Sequence, residues 1–241
     1  MAVLCIMFIR GGRQRYVIKF YRCQREKSRT PSSKSLIVKL YVNKVASASS
    51  LSALLSNALA RRNDWIVDNC AGSKQRSGAA MCNLYNITTN QEAIRRLFPA
   101  LHDRAGNLAT GQVYPDQLAP IVRWASDGLE LVKARWGLPS PPSVLKTARD
   151  PGVTNIRNLG SPHWRRWLGR ENRCLVPVTS FAEPRGKGQG NQWFAPADGR
   201  PMFFAGVEIR GWRSVRKVKD GETFDDLFAF LTSEPNAEVE A

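Results

Sequence analysis

Acidic residues are scarce in this 241-residue chain, 20 against 36 Lys and Arg, and histidine occurs only twice. Five cysteines, at 5, 23, 70, 82 and 174, form no C-x-x-C pair and have no histidine at zinc-ligand spacing. That argues against a disulfide framework or a structural metal and for a reducing compartment, with the cytoplasm as the expected location. Long apolar runs are missing too. The best candidate, residues 2–9, is about half of the ~18 apolar residues a spanning helix needs, and its basic residues follow the run instead of preceding it. Neither a membrane span nor a signal peptide is expected, and no metal or organic cofactor is implied.

What is present suffices for a packed soluble core: 43% of residues are hydrophobic and 9% aromatic. The length suits one good-sized domain with attachments, or two small ones. A net charge of +16 points to a polyanionic partner, but the charge is unevenly spread. Residues 1–80 hold 15 Lys and Arg against 3 acidic residues, leaving 21 against 17 in residues 81–241. The first segment is thus +12 and the second only +4.

Residues 1–80 read as a basic leader of low organisation. Basic, Ser/Ala-rich and Gly/Ser-rich stretches alternate there, with one strand candidate at 35–42 and one short helix candidate at 51–60. Such a segment is either a nucleic-acid-binding arm or a disordered, wrongly included leader. From residue 81 the texture changes. Residues 88–98 carry cap-type residues followed by Ile94, Leu97 and Phe98, the pattern of an amphipathic helix. Residues 119–124 and 129–136 flank Ser126, Asp127 and Gly128 and predict a hairpin. Ser161 and Pro162 predict a short helix over 163–168, and 173–181, 201–209 and 226–232 predict strands. The expected fold is α+β: a curled or barrel-like, mostly antiparallel sheet with short flanking helices, preceded by the poorly structured leader.

The segment 162–168 interleaves aromatic and basic residues. Trp164 and Trp167, three apart, suit anchorage on a core, while Arg165 and Arg166 suit a phosphate backbone outside it. His102 and His163 are expected at the surface.

Five stretches stand in a fixed order: Met81-Cys82, Arg135 to Pro139, Thr154-Asn155-Ile156-Arg157, Asn172 to Pro184, and Leu231 to Glu238. Their order and spacing resemble the SOS response-associated peptidase (SRAP) family, whose members shield abasic sites in single-stranded DNA. The resemblance covers nearly all of 81–241 and none of 1–80. It implies that Met81 is removed and that Cys82 reacts as an N-terminal residue, so that 1–80 is a misassigned start or a removable leader. It also implies an α+β SRAP-type domain at 81–241 that is incomplete at its C-terminus, because the family continues past Glu-Pro-Asn with a histidine whereas this chain stops at Ala241. The family commonly has Gly-Arg after Met-Cys, where this chain has Asn83 and Leu84.

The implied chemistry needs an N-terminal cysteine. An open abasic deoxyribose presents an aldehyde; the α-amine forms a Schiff base with it and the thiol closes a thiazolidine. The resemblance assigns acid–base work to Glu183, orientation of the sugar to Asn155 and phosphate contact to Arg157. Trp136 and Pro139 would belong to the wall on which bases stack, although core packing suits Trp136 equally well. The expected activity is a covalent DNA–protein cross-link at abasic sites in single-stranded DNA by a monomer, with AP lyase and autoproteolytic activity as further expectations; the chain as given, with residues 1–80 ahead of Cys82, is expected to be inactive. The alternatives are a general cysteine peptidase and a noncovalent basic single-strand binder.

Overall fold

In the computed structural model the described residues are 83–88, 91–185, 188–196 and 202–233, with the backbone of three short strands nearer the start. Those strands are β1 (Val3–Leu4), β2 (Ile6–Phe8) and β3 (Lys19–Phe20). The strand and helix expected at 35–42 and 51–60, Cys82, and the motif after Ser233 lie outside the described residues. Beyond β3 the elements are β4 (Leu84–Ile87), α1 (Gln91–Leu97), β5 (His102–Asp103), β6 (Gly111–Val113), β7 (Leu118–Ala125) and β8 (Gly128–Trp136). Then follow β9 (Asn155–Ile156), α2 (Pro162–Arg165), β10 (Arg173–Val178), β11 (Ser180–Pro184), β12 (Asn191–Phe194), β13 (Met202–Val215) and β14 (Glu222–Ser233).

Five strands close on themselves in the order β14, β8, β7, β10, β13 and back to β14, antiparallel except where β14 runs parallel to β8. This is the barrel-like sheet expected from the sequence. Closure removes the exposed edges that an open sheet of this length would present. A second antiparallel sheet, in the order β12, β11, β4, β6, lies against the barrel. The strands nearer the start add at the margins: β2 pairs with the first residues of β13, and β1 with the last residues of β14.

The two-residue period of each strand sorts its side chains between the barrel interior and an outer layer. Cys174, Val176 and Val178 of β10 and Phe228 and Phe230 of β14 join Tyr85, Ile121, Trp136 and Phe204 in one cluster. The alternate residues of β14, Leu227, Ala229 and Leu231, meet Trp164, Trp167, Leu138 and Ile156 in a second cluster under α2. Leu175, Val122 and Leu131 meet Ile94 and Phe98 in a third, under α1. Strands of this kind are buried on both faces, which is why the segment 173–178 is apolar nearly throughout instead of alternating. The expected hairpin is present as β7 and β8, with Ala125 paired to Gly128, so Ser126 and Asp127 form the loop. Gly128 has φ of 131°, a value a side chain would strain.

One polar knot sits within this apolar frame. The buried Arg123 of β7 donates to Glu130 of β8 at 2.7 Å, to Glu208 of β13 at 2.8 Å and to Asp226 of β14 at 2.6 Å. A charge so deeply placed is tolerated because three carboxylates, from β8, β13 and β14, answer it.

Candidate functional site

Glu183 is the centre of the site. It lies on β11, where Phe181 and Ala182 pair with Tyr85 and Leu84 of β4, so continuing the register brings Glu183 level with Asn83. Its side chain is 1% exposed, and neither carboxylate oxygen has a hydrogen-bond partner among the described residues. Burial pushes its pKa up from the ordinary 4.5 to about 7, while the positive charge of Arg157 pulls the other way. A group so poised can both release and accept a proton near neutral pH.

Arg157 follows β9, and its Nε and Nη2 are buried without a hydrogen bond among the described residues. Among the described residues, this electrostatically coupled acid and guanidinium, both with unanswered polar atoms, are an exception to the rule that buried polar groups are paired. Asn155, on β9, is also buried. Its Nδ2 donates to Thr154 Oγ1 at 2.9 Å, and Thr154 Oγ1 donates to Asn83 Oδ1 at 3.2 Å. The residue directly after Cys82 is therefore tied to the strand that carries Asn155. β9 itself pairs parallel to β14, Phe230 with Asn155 and Leu231 with Ile156, and Ile156 faces the apolar layer under α2. Asn155 and Arg157, on either side of Ile156, thus face away from that layer, and Arg157 lies within electrostatic reach of Glu183.

The stacking role expected of Trp136 and Pro139 does not fit the structure. Trp136 is 0% exposed, tilted against Phe230 at 4.8 Å between ring centroids and edge-on to Tyr85 at 5.1 Å, and its Nε1 donates to the Thr154 carbonyl at 3.1 Å. Pro139 is buried as well, and its carbonyl accepts from His163 Nε2 at 2.9 Å. Neither ring offers a face to a base; the core reading of Trp136 is the correct one, and an apolar residue in a strand carries no signal that tells the two apart. His163 is likewise not a simple surface residue, being half-buried and edge-on to Trp164 and Trp167. His102 is exposed beside Asp127.

Arg165 and Arg166 are exposed, and Trp164 and Trp167 are buried beneath them. Arg166 lies over the Trp167 ring, 3.8 Å from its centroid, a cation–π contact that orients the guanidinium along the surface. Sequence reasoning missed Asn83 and Thr154. Their contact joins residues 71 apart, and nothing local to either residue announces it.

Among the described residues no group of His, Cys, Asp and Glu is disposed to hold a metal ion, and no helix is long and apolar enough to cross a membrane.

A strand barrel flanked by a small sheet that buries an elevated-pKa carboxyl beside an arginine defines a class of site suited to proton transfer next to an anionic ligand. The chain belongs to the SOS response associated peptidase (SRAP) family, whose model matches residues 81–241. Membership ties it to the SOS response and to DNA-related function. The chain is similar to an X-ray crystal structure of a protein from Bacteroides thetaiotaomicron, with 20% identity over 66% of this chain and 71% of that one and a TM-score of 0.50. A protein from Bordetella bronchiseptica, also known from an X-ray crystal structure, shows 20% identity over 62% of this chain and 71% of that one, with a TM-score of 0.42. At 20% identity the likeness to the Bacteroides thetaiotaomicron structure is one of fold. No curated protein matches the chain.

Proposed function

We propose that this chain captures abasic sites in single-stranded DNA as a covalent adduct through Cys82, once hydrolysis of the Met81–Cys82 peptide bond has freed the amine. The amine adds to C1′ of the open sugar, and loss of water gives the iminium. The Cys82 sulfur then adds to C1′, its proton leaving, to close the thiazolidine; the net change is aldehyde plus aminothiol to thiazolidine plus water. Glu183 moves the protons, Asn155 orients the sugar, and Arg157 meets a flanking phosphate, with Arg165 and Arg166 on the approach. Loss of a C2′ proton from the iminium, followed by departure of the 3′ phosphate, would give the AP lyase reaction.

The observation that carries this reading is the electrostatic coupling of the buried Glu183 carboxyl, level with Asn83, to Arg157, the carboxylate oxygens and the guanidinium Nε and Nη2 all lacking hydrogen bonds among the described residues, in a chain of the SRAP family. Trp136 and Pro139 have no part in it.

A full-length protein with a protease recognition sequence inserted between Met81 and Cys82, then cut there, is expected to form an adduct with an abasic single-stranded oligonucleotide that survives denaturing electrophoresis. Cys82→Ala abolishes the adduct; Cys174→Ala retains it, because Cys174 is 1% exposed inside the barrel and burial pushes its thiol pKa well up. The uncut chain forms none, since the Cys82 nitrogen is then an amide whose lone pair is delocalised into the carbonyl. A denaturation-resistant adduct from uncut protein, verified by mass spectrometry, refutes the mechanism. Peptide hydrolysis without an adduct would point to a general cysteine peptidase, and a salt-sensitive complex lost on denaturation to a noncovalent binder.

A further inference from the structure

Thr154 stands where four hydrogen bonds meet. Its carbonyl accepts from Trp136 Nε1 at 3.1 Å and from Phe230 N at 3.0 Å, which fasten its backbone to the barrel. Its hydroxyl accepts from Asn155 Nδ2 at 2.9 Å and donates to Asn83 Oδ1 at 3.2 Å. A hydroxyl is suited to this place because it accepts and donates at once, bridging the nitrogen of one amide to the oxygen of another.

We propose that Thr154 is a positioning residue: it sets the amide plane of Asn155 and, through Asn83, holds the residue that follows Cys82 in register with that amide. The inference rests on the reading of Cys82 as the reacting residue and of Asn155 as the group that orients the sugar. Once Nδ2 is held by Thr154, the amide cannot rotate without breaking that bond, so Oδ1 is directed the opposite way. Asn83 is exposed, and its side chain would move freely without an anchor. Its bond to Thr154 ties down the backbone one residue from Cys82. Ring closure needs amine, thiol and aldehyde carbon aligned together, and a 1 Å misplacement of such groups lowers a rate by about a hundredfold.

The test uses the full-length protein cut ahead of Cys82, in single-turnover reactions over a range of abasic oligonucleotide concentrations, with melting temperatures measured in parallel. Thr154→Val keeps the shape of the side chain and removes the hydroxyl; its maximal cross-linking rate is expected to fall about tenfold, the effect of one lost hydrogen bond, with the half-saturating concentration unchanged. Thr154→Ser restores the hydroxyl and the rate. Asn83→Ala, at an exposed position, gives a smaller fall in rate at the same half-saturation. Parent-like rates in Thr154→Val, a Thr154→Ser protein as slow as Thr154→Val, or a change confined to half-saturation would each overturn the proposal. Should Thr154→Val melt far below the parent, Asn83→Ala decides, and an unchanged rate there overturns it. A parent protein that forms no adduct refutes the reading of Cys82 itself and the positioning role with it.

Discussion

At the scale of the single residue, Glu183 couples chemistry to stability. Its carboxyl has a pKa of about 7 in the folded chain against an ordinary 4.5, so the folded state holds that proton more tightly than the unfolded state does. The resulting contribution to stability is fully present below pH 4.5 and declines as pH rises through 7. Glutamine keeps the shape and cannot ionise. The Glu183→Gln protein is therefore expected to match the parent in stability in acid and to exceed it above neutrality, by an amount on the order of 3 kcal/mol. Paired melting curves from acid to pH above 7 measure this, and a stability difference that is flat with pH would place the carboxyl in contact with water. The same substitution is expected to slow cross-linking while leaving DNA affinity intact, because binding needs the shape and proton transfer needs the acid. Loss of affinity with unchanged chemistry would mark Glu183 as a structural group.

At the scale of the element, β10, β13 and β14 approach each other where β13 has Gly206. A Cβ built there would stand 2.8 Å from Cys174 Sγ and 3.0 Å from the Ala229 carbonyl oxygen, both held in the barrel wall. Gly206→Ala is expected to destabilise the fold by roughly 1–3 kcal/mol, the usual range for overpacking a tight core. A denaturant titration reads this directly, and an unchanged midpoint would mean that the strands separate without strain. The short helix α2 and the turn after it divide their labour by face. Trp164 and Trp167 seal the layer over β14, and Arg165 and Arg166 are left outside. The expected DNA contact of these arginines thus follows from the anchoring of the tryptophans.

At the scale of the whole molecule, the Arg123 network connects four of the five barrel strands: β7 by its own position, β8 through Glu130, β13 through Glu208 and β14 through Asp226. Arg104 reaches Glu130 from outside at 3.4 Å and Arg210 reaches Glu208 at 2.8 Å, so each acid is held from two sides. These carboxylates hold the Arg123 guanidinium charged despite its burial, its pKa raised above the ordinary value. Arg123→Met would leave buried Glu130 and Glu208 without their central cation, and the expected loss is about 3–5 kcal/mol. A melting transition overlaying that of the parent would show that the barrel closes without the network.

The alternation of polar and apolar residues was legible wherever a strand has one wet face or a helix one dry stripe. It located α1 through Ile94 and Leu97, the β7–β8 hairpin through Gly128, and the inward tryptophans of α2 and the turn after it. The residue types of the proposed site, Asn155, Arg157 and Glu183, were named from motif order. A curled, barrel-like sheet was legible too, but which strands close it was not, because whether β14 pairs with β8 as well as with β13 depends on contacts between segments about ninety residues apart, such as Arg135 with Asp225. Burial was not legible for the same reason. Trp136 in a strand is compatible with a base-stacking wall or with a core, and only the packing of Tyr85, Phe228 and Phe230 around it decides. The sequence by itself determined which residues can transfer a proton or bind a phosphate. The tertiary structure alone decided which of them are dry: the pKa of Glu183 is set by the water that the barrel and its flanking sheet exclude, a property no single stretch of chain possesses.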